Sequence, residues 1–124
     1  MNRKIAFRAW DKKNKVMINA IFVGLGKVYG MTKTFKPSKE LENVILMQYT
    51  GVQDKTGRDI FEGDIIEWVN WSNNESKLIT IIAYEDDYAA FFFGNWYERS
   101  FPETSEEALI IGNIYENPEL LTKD

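Results

Sequence analysis

Two residue types are absent from this chain of 124 residues: it contains no cysteine and no histidine. The lack of cysteine excludes disulfides, a thiol nucleophile and a cysteine-ligated zinc site. The lack of histidine excludes a Ser-His-Asp triad, an imidazole metal ligand and the side chain best suited to proton transfer near neutral pH. Only carboxylates, lysine, tyrosine and hydroxyl side chains remain for catalysis. The sequence therefore favours a protein that is not an enzyme, and we predict no cofactor and no metal.

Long hydrophobic runs are also missing. The longest apolar run spans about seven residues, near Leu78 to Tyr84, whereas a membrane-spanning helix needs about 20. The N-terminal residues, MNRKIAFRAWDKK, contain no apolar segment of the kind found in signal peptides. We therefore expect a cytoplasmic protein with no membrane partner.

Alternation of apolar and polar residues dominates the chain. KIAFRAW (Lys4–Trp10) and VMINAIFV (Val16–Val23) flank the polar turn DKKNK and predict a hairpin, and GLGKVYG marks a further turn. Helical signals are limited to Ser38, which could cap one turn, and to a capping box at Thr104–Glu107. The predicted fold is mainly β, with at most one or two short helices. It is a small SH3-like barrel or a strongly bent antiparallel sheet with an added N-terminal hairpin.

The predicted organisation is a single domain, residues 1–124, in three portions. A basic hairpin portion spans residues 1–31, a polar connector spans 32–43, and an acidic β-barrel portion spans 44–124. Residues 1–40 hold ten basic and two acidic residues, which gives them a net charge of +8. Because the whole chain has a net charge of −4, residues 41–124 have a net charge of −12. Such a division can attract a polyanion or join neighbouring subunits, or the two halves can neutralise each other within one domain.

The run DIFEGDIIEW (Asp59–Trp68) crowds four acidic residues around a Gly-Asp turn. A carboxylate metal site needs several oxygens that converge on one point, but along a strand Asp64 and Glu67 lie on opposite faces. The alternative is turn chemistry, in which Gly63 supplies a positive φ and Asp64 accepts hydrogen bonds from nearby backbone amides. We interpret the run as a tight turn that enters a strand.

The basic N-terminal strand is a candidate nucleic-acid contact. Arg3, Lys4 and Arg8 combine positive charge with the stacking ring of Trp10, which is a combination found on surfaces that bind nucleic acid. One basic strand in a chain of net charge −4 is a narrow basis for this hypothesis.

Three blocks of the chain resemble the YopX family of phage and prophage proteins: KIAFRAWDKKNKVM, LMQYTGVQDKTGRDIFEGDIIEW and IIGNIYENPEL. The resemblance implies a β-rich fold, a phage or prophage origin and self-association. It implies no activity and no catalytic residue. Six positions match the family's motifs, and we interpret them as setting turns and strand ends: Tyr49, Gly51, Gly63, Asp64, Gly112 and Asn113.

Three functions remain open. The favoured one is a non-enzymatic accessory protein, in the cytoplasm of a bacterial host, that forms a homo-oligomer or binds a host protein. The second is a nucleic-acid-binding module that uses the basic N-terminal strand. The third is a carboxylate hydrolase that depends on a divalent ion held by Asp64.

Overall fold

The computed structural model describes residues 4–31, 34, 37–69, 77–86, 90–93 and 108–121. The chain forms two compact units, named here the N-terminal unit (residues 2–48) and the C-terminal unit (residues 49–124). The division falls within one long strand, Val44–Gln53. The three-portion organisation stays a prediction.

The N-terminal unit is made of antiparallel strands. Its described strands are β1 (Phe7–Asp11), β2 (Val16–Ile18), β3 (Ile21–Gly24), β4 (Lys27–Met31), β5 (Pro37–Glu40) and the first half of β6 (Val44–Gln53). Strand β1 lies between β2 and β6, with Trp10 opposite Met17 on one side and Ile45 on the other. The β1–β2 pair confirms the predicted N-terminal hairpin, but the second predicted strand, Val16–Val23, is divided into β2 and β3, and β3 pairs with β4 instead.

A second sheet of the N-terminal unit has the order β3-β4-β5. The helical turn predicted at Ser38 is wrong, because Pro37–Glu40 forms β5 and pairs with β4. The N–H of Leu41 donates a 2.8 Å hydrogen bond to the carbonyl of Val28 and extends this pairing. A neighbouring strand that offers backbone partners outweighs the weak preference of one capping residue.

The C-terminal unit contains the second half of β6 and a four-stranded antiparallel sheet of order β10-β9-β8-β11. Its other described elements are β7 (Asp59–Phe61), β8 (Asp64–Val69), β9 (Lys77–Glu85), β10 (Ala90–Phe93), β11 (Ala108–Asn113) and a 3-10 helix (Pro118–Leu121). Strand β11 carries an irregularity between Ile110 and Gly112, where its register on β8 shifts.

The hydrophobic core of the C-terminal unit is an aliphatic cluster drawn from four strands. Its buried members are Ile60, Ile66, Ile82, Ala108 and Ile110, all at most 7% exposed. Val52 and Phe91 pack against this cluster at its partly buried edge. These residues come from β7, β8, β9 and β11. The cluster therefore packs β7 against the four-stranded sheet.

The predicted fold class is confirmed: the architecture is mainly β, with a curled antiparallel sheet. Closure into an SH3-like barrel stays a prediction. The helix predicted at Thr104–Glu107 lies outside the described residues. In the part of the chain that the structure describes, no helix is long and apolar enough to cross a membrane.

Candidate functional site

Gly63 lies in the turn between β7 and β8, and Asp64 is the first residue of β8. Gly63 has a φ of +83°, a conformation that residues with a Cβ adopt only at a cost. Asp64 is 2% exposed, and its Oδ2 accepts a 2.8 Å hydrogen bond from the N–H of Phe61. Gly63 donates a hydrogen bond to the carbonyl of Ile82 and accepts one from the N–H of Ile114, both at 2.9 Å. The turn therefore ties β7 and β8 to β9 and to the segment after β11.

The acidic side chains of this region do not assemble into a metal site. Among the described residues, no group of three His, Cys, Asp or Glu side chains is placed to hold a metal ion. Asp64 is engaged with the backbone of its own turn, and Asp59 accepts a 3.1 Å hydrogen bond from the side chain of Gln53. This geometry gives the hydrolase hypothesis no support.

A buried carboxylate that sequence reasoning missed, Asp54, organises the loop before β7. Its Oδ1 accepts hydrogen bonds from the N–H (2.9 Å) and hydroxyl (2.7 Å) of Thr56 and from the N–H of Arg58 (3.1 Å). Its Oδ2 accepts a 3.0 Å hydrogen bond from the N–H of Ile110. Asp54 thus fastens the loop to β11, and its role is structural.

Asp54 is 6% exposed, and burial alone would raise its pKa. The hydrogen bonds from Thr56, Ile110 and Arg58 outweigh burial and hold the pKa of Asp54 below its ordinary value. The sequence signal for this site was the spacing Asp-x-Thr-Gly in DKTG, which is typical of a turn closed by an aspartate side chain.

Gly112 and Asn113 belong to a compact turn at the end of β11. Asn113 is 7% exposed, and its Oδ1 accepts hydrogen bonds from the N–H groups of Tyr115 (3.0 Å) and Glu116 (2.9 Å). The N–H of Asn113 donates to Oδ1 of Asn117 at 3.2 Å. A Cβ on Gly112 would lie 2.8 Å from Cγ of Asn117, so only glycine leaves room for that side chain. This pair sets a strand end.

Tyr49 and Gly51 mark the second half of β6. The Tyr49 side chain is 7% exposed, and its ring lies 5.8 Å from that of Phe61 on the paired strand. Gly51 has a φ of +91° and lies where the β6–β7 register shifts, between Tyr49 and Gln53. A positive φ at a bulge is a conformation that glycine adopts without strain.

The described residues of the basic N-terminal strand do not form an open cationic surface. Arg8 and Trp10 are only 6% and 8% exposed, so neither the guanidinium nor the indole is placed to meet a phosphate or stack on a base. Lys4 is exposed, and Arg3 lies outside the described residues. Of the three described residues, only Lys4 is therefore exposed at the surface.

An apolar tip, formed by Phe22, Val23 and Leu25, projects from the β3–β4 hairpin. Leu25 is 99% exposed, and Phe22 and Val23 are 43% and 36% exposed. Leu25 and Gly26 have φ values of +52° and +74°, as in a two-residue type I′ turn, for which Asn-Gly is the preferred pair. A leucine in this left-handed conformation costs about 1–2 kcal/mol. The sequence indicated a turn here, but not that its leucine stands in solvent.

A solvent-open cleft of about 510 Å³ lies in the N-terminal unit, lined by Asp11, Lys13, Asn14, Lys39, Glu40, Leu41, Glu42 and Asn43. Asp11 accepts hydrogen bonds from the N–H groups of Lys13 (2.9 Å) and Asn14 (3.0 Å) and from the side chain of Asn14 (2.9 Å). The backbone and side-chain bonds from Asn14 hold the pKa of Asp11 below its ordinary value. This carboxylate therefore stabilises its own turn.

Comparison with known proteins supplies an independent test of the resemblance. The YopX protein family model matches residues 6–122. The chain is similar to protein EF1440 from Enterococcus faecalis, with 26% identity, a TM-score of 0.65 and coverage of 97% of this chain and 99% of that one. It is also similar in fold to protein yopX from Bacillus subtilis, with 18% identity, a TM-score of 0.57 and coverage of 93% and 96%. No curated protein matches the chain. Since the family model spans nearly the whole sequence, the chain belongs to the YopX family.

Proposed function

We propose that this protein is a non-enzymatic phage or prophage accessory protein that acts in the bacterial cytoplasm by associating with copies of itself. The observation that carries the proposal is that its charge is divided along the boundary between its two units. Residues 2–48 hold ten basic and three acidic residues, a net charge of +7. Residues 49–124 hold five basic and sixteen acidic residues, a net charge of −11. Surfaces of opposite sign steer two copies into contact.

The described charges are accessible to a partner. On the N-terminal unit, Lys12, Lys13 and Lys39 are exposed. On the C-terminal unit, Asp86 and Glu119 are exposed. A host protein with a surface of matching charge would use the same groups, so self-association and host binding would compete for them.

Sedimentation velocity at 50 mM and 500 mM salt tests the proposal. We expect oligomers at 50 mM salt that dissociate at 500 mM, because the Debye length falls from about 14 Å to about 4 Å over this range. Replacing two exposed lysines by acids, Lys12→Glu with Lys13→Glu, is expected to weaken association at 50 mM salt by about tenfold.

The matched control keeps the charge, as Lys12→Arg with Lys13→Arg, and is expected to associate like the unaltered protein. A monomer at both salt concentrations would rule out self-association. Equal association of the acidic and arginine variants would rule out the charge mechanism.

A further inference from the structure

We infer that the apolar tip of the β3–β4 hairpin is the anchor by which one copy of the chain docks on the acidic C-terminal unit of another copy. The inference rests on the proposed function, because it names the element through which self-association occurs.

The exposure and the backbone conformation of Leu25 are the first evidence for this contact. This residue is 99% exposed and has a φ of +52°, at a turn position where asparagine or glycine would be unstrained. The folding of the hairpin draws no benefit from leucine there, since the side chain contributes no burial and the backbone is strained. Strained backbone at an exposed site, together with exposed apolar surface, points to binding.

The exposure of the β3–β4–β5 sheet, which carries the tip, is the second line of evidence. Of the side chains described in β3, β4 and β5, none is buried. Phe22 and Val23 point to opposite faces of β3, as neighbours in a strand do, and both are more than a third exposed. The tip is therefore apolar on both faces, which suits insertion into a recess of a partner.

Strand β3 is also the edge of its sheet, and Ile21–Gly24 contains no charged residue. Edge strands usually carry charges, prolines or bulges that prevent pairing with another chain. This edge carries no charge or proline that would prevent pairing with the same partner that receives the tip.

The net charges of the two units favour a contact between the N-terminal unit of one copy and the C-terminal unit of another. Two N-terminal units each carry +7, so tip-to-tip pairing about a two-fold axis brings like charges together. The C-terminal unit carries −11 and exposes Ile79, Tyr84 and Leu121 (38%, 43% and 41%). Docking of a tip on this unit is head-to-tail, a contact that repeats to give a ring or a filament.

Leu25→Asn tests the anchor without removing the fold. Asparagine tolerates the left-handed conformation, so we expect an unchanged or raised Tm, by about 3 °C. Association at 50 mM salt is expected to weaken by about tenfold or more, because the buried leucine surface is lost. The matched control is Ile5→Asn, at another exposed apolar residue of the N-terminal unit (61% exposed and outside the strands), which is expected to associate normally.

Each outcome separates the two proposals. If Leu25→Asn associates like the unaltered protein, the anchor is wrong and the charge-driven self-association stands. If the unaltered protein is monomeric at 50 mM salt, both proposals fail. Leu25→Gly provides a second unstrained variant and must behave as Leu25→Asn does, or the effect is specific to asparagine and the anchor is overturned.

A mixing experiment tests the head-to-tail geometry. A Leu25→Asn copy can still receive a tip but cannot offer one, so adding it to the unaltered protein is expected to reduce the mean assembly mass in sedimentation. In tip-to-tip dimers the variant would be excluded and the mass of the unaltered assemblies would stay constant. A constant mass would overturn the head-to-tail contact.

Discussion

The core cluster of the C-terminal unit and the β3–β4–β5 sheet of the N-terminal unit use their apolar residues in opposite ways. In the C-terminal unit, Ile60, Ile66 and Ile82 are at most 1% exposed within one aliphatic cluster. In the β3–β4–β5 sheet of the N-terminal unit, no described side chain is buried, and Leu25 is almost wholly in solvent. Both regions have apolar residues in paired antiparallel strands. The difference teaches that strand pairing alone does not create a core, and that apolar surface left in solvent is available to a partner.

The largest expected effect comes from emptying the core of the C-terminal unit. Ile82→Ala is expected to lower the free energy of unfolding by about 3–4 kcal/mol, because it leaves a cavity in a packed cluster. Val23→Ala, at the exposed edge of the N-terminal unit, is expected to cost less than about 1 kcal/mol. Urea denaturation of both variants measures the two losses. Similar losses would contradict the contrast between the aliphatic cluster and the β3–β4–β5 sheet.

A smaller effect is expected from Asp54→Asn. The two carboxylate oxygens accept hydrogen bonds from Thr56, Arg58 and Ile110, so an amide must turn its NH₂ group toward a donor on one side. The expected loss is about 2 kcal/mol in the free energy of unfolding. Asp86→Asn, at an exposed carboxylate, is the control and is expected to stay within about 0.5 kcal/mol.

The same substitution predicts a dependence on pH. Because the pKa of Asp54 is lower in the folded protein than its ordinary value of 3.8, the unfolded chain takes up the proton first as the pH falls. The stabilisation by the ionised carboxylate is therefore complete above pH 3.8 and is lost as the pH falls through the lowered pKa. In urea titrations the gap between the unaltered protein and Asp54→Asn should narrow below about pH 4. A gap that widens there would contradict this account.

The smallest effect is expected from the ion pair of Lys27 and Glu40. Its charged atoms are 3.8 Å apart, and both side chains are about half exposed. A double-mutant cycle with Lys27→Ala and Glu40→Ala is expected to give a coupling below about 0.5 kcal/mol, since water and salt screen the pair. A coupling above about 1 kcal/mol would show that this sheet is held by its charges.

Local patterns predicted the local structure well. Alternation in KIAFRAW and in the first residues of VMINAIFV predicted the hairpin that β1 and β2 form, whereas the break between β2 and β3 within VMINAIFV was not predicted. The Gly-Asp dipeptide pointed to the turn that precedes β8. The error at Ser38 arose because one capping residue says little about whether a neighbouring strand is in reach. The pairing partner, β4, lies outside the connector, so the sequence of the connector does not reveal it.

Burial was less predictable from local patterns. Alternation placed Arg8 and Trp10 on a face of their own, opposite Ala9, yet all three are buried. Strand β1 lies between β2 and β6, and a central strand can be covered on both faces, which a period of two cannot reveal. The burial of Arg8 and Trp10 was therefore not predictable from the sequence, and the candidate nucleic-acid contact stays a prediction.

The sequence by itself determined the available chemistry, the alternation that makes strands, the glycines of the turns and the division of charge. These depend on residue type and on the conformational preferences of adjacent residues. The tertiary structure decided that Asp54 binds the N–H of Ile110, 56 residues away, that Arg8 is buried, and that Leu25 is exposed. Burial and long-range hydrogen bonds depend on what the rest of the chain brings alongside a residue, and no local pattern contains that information.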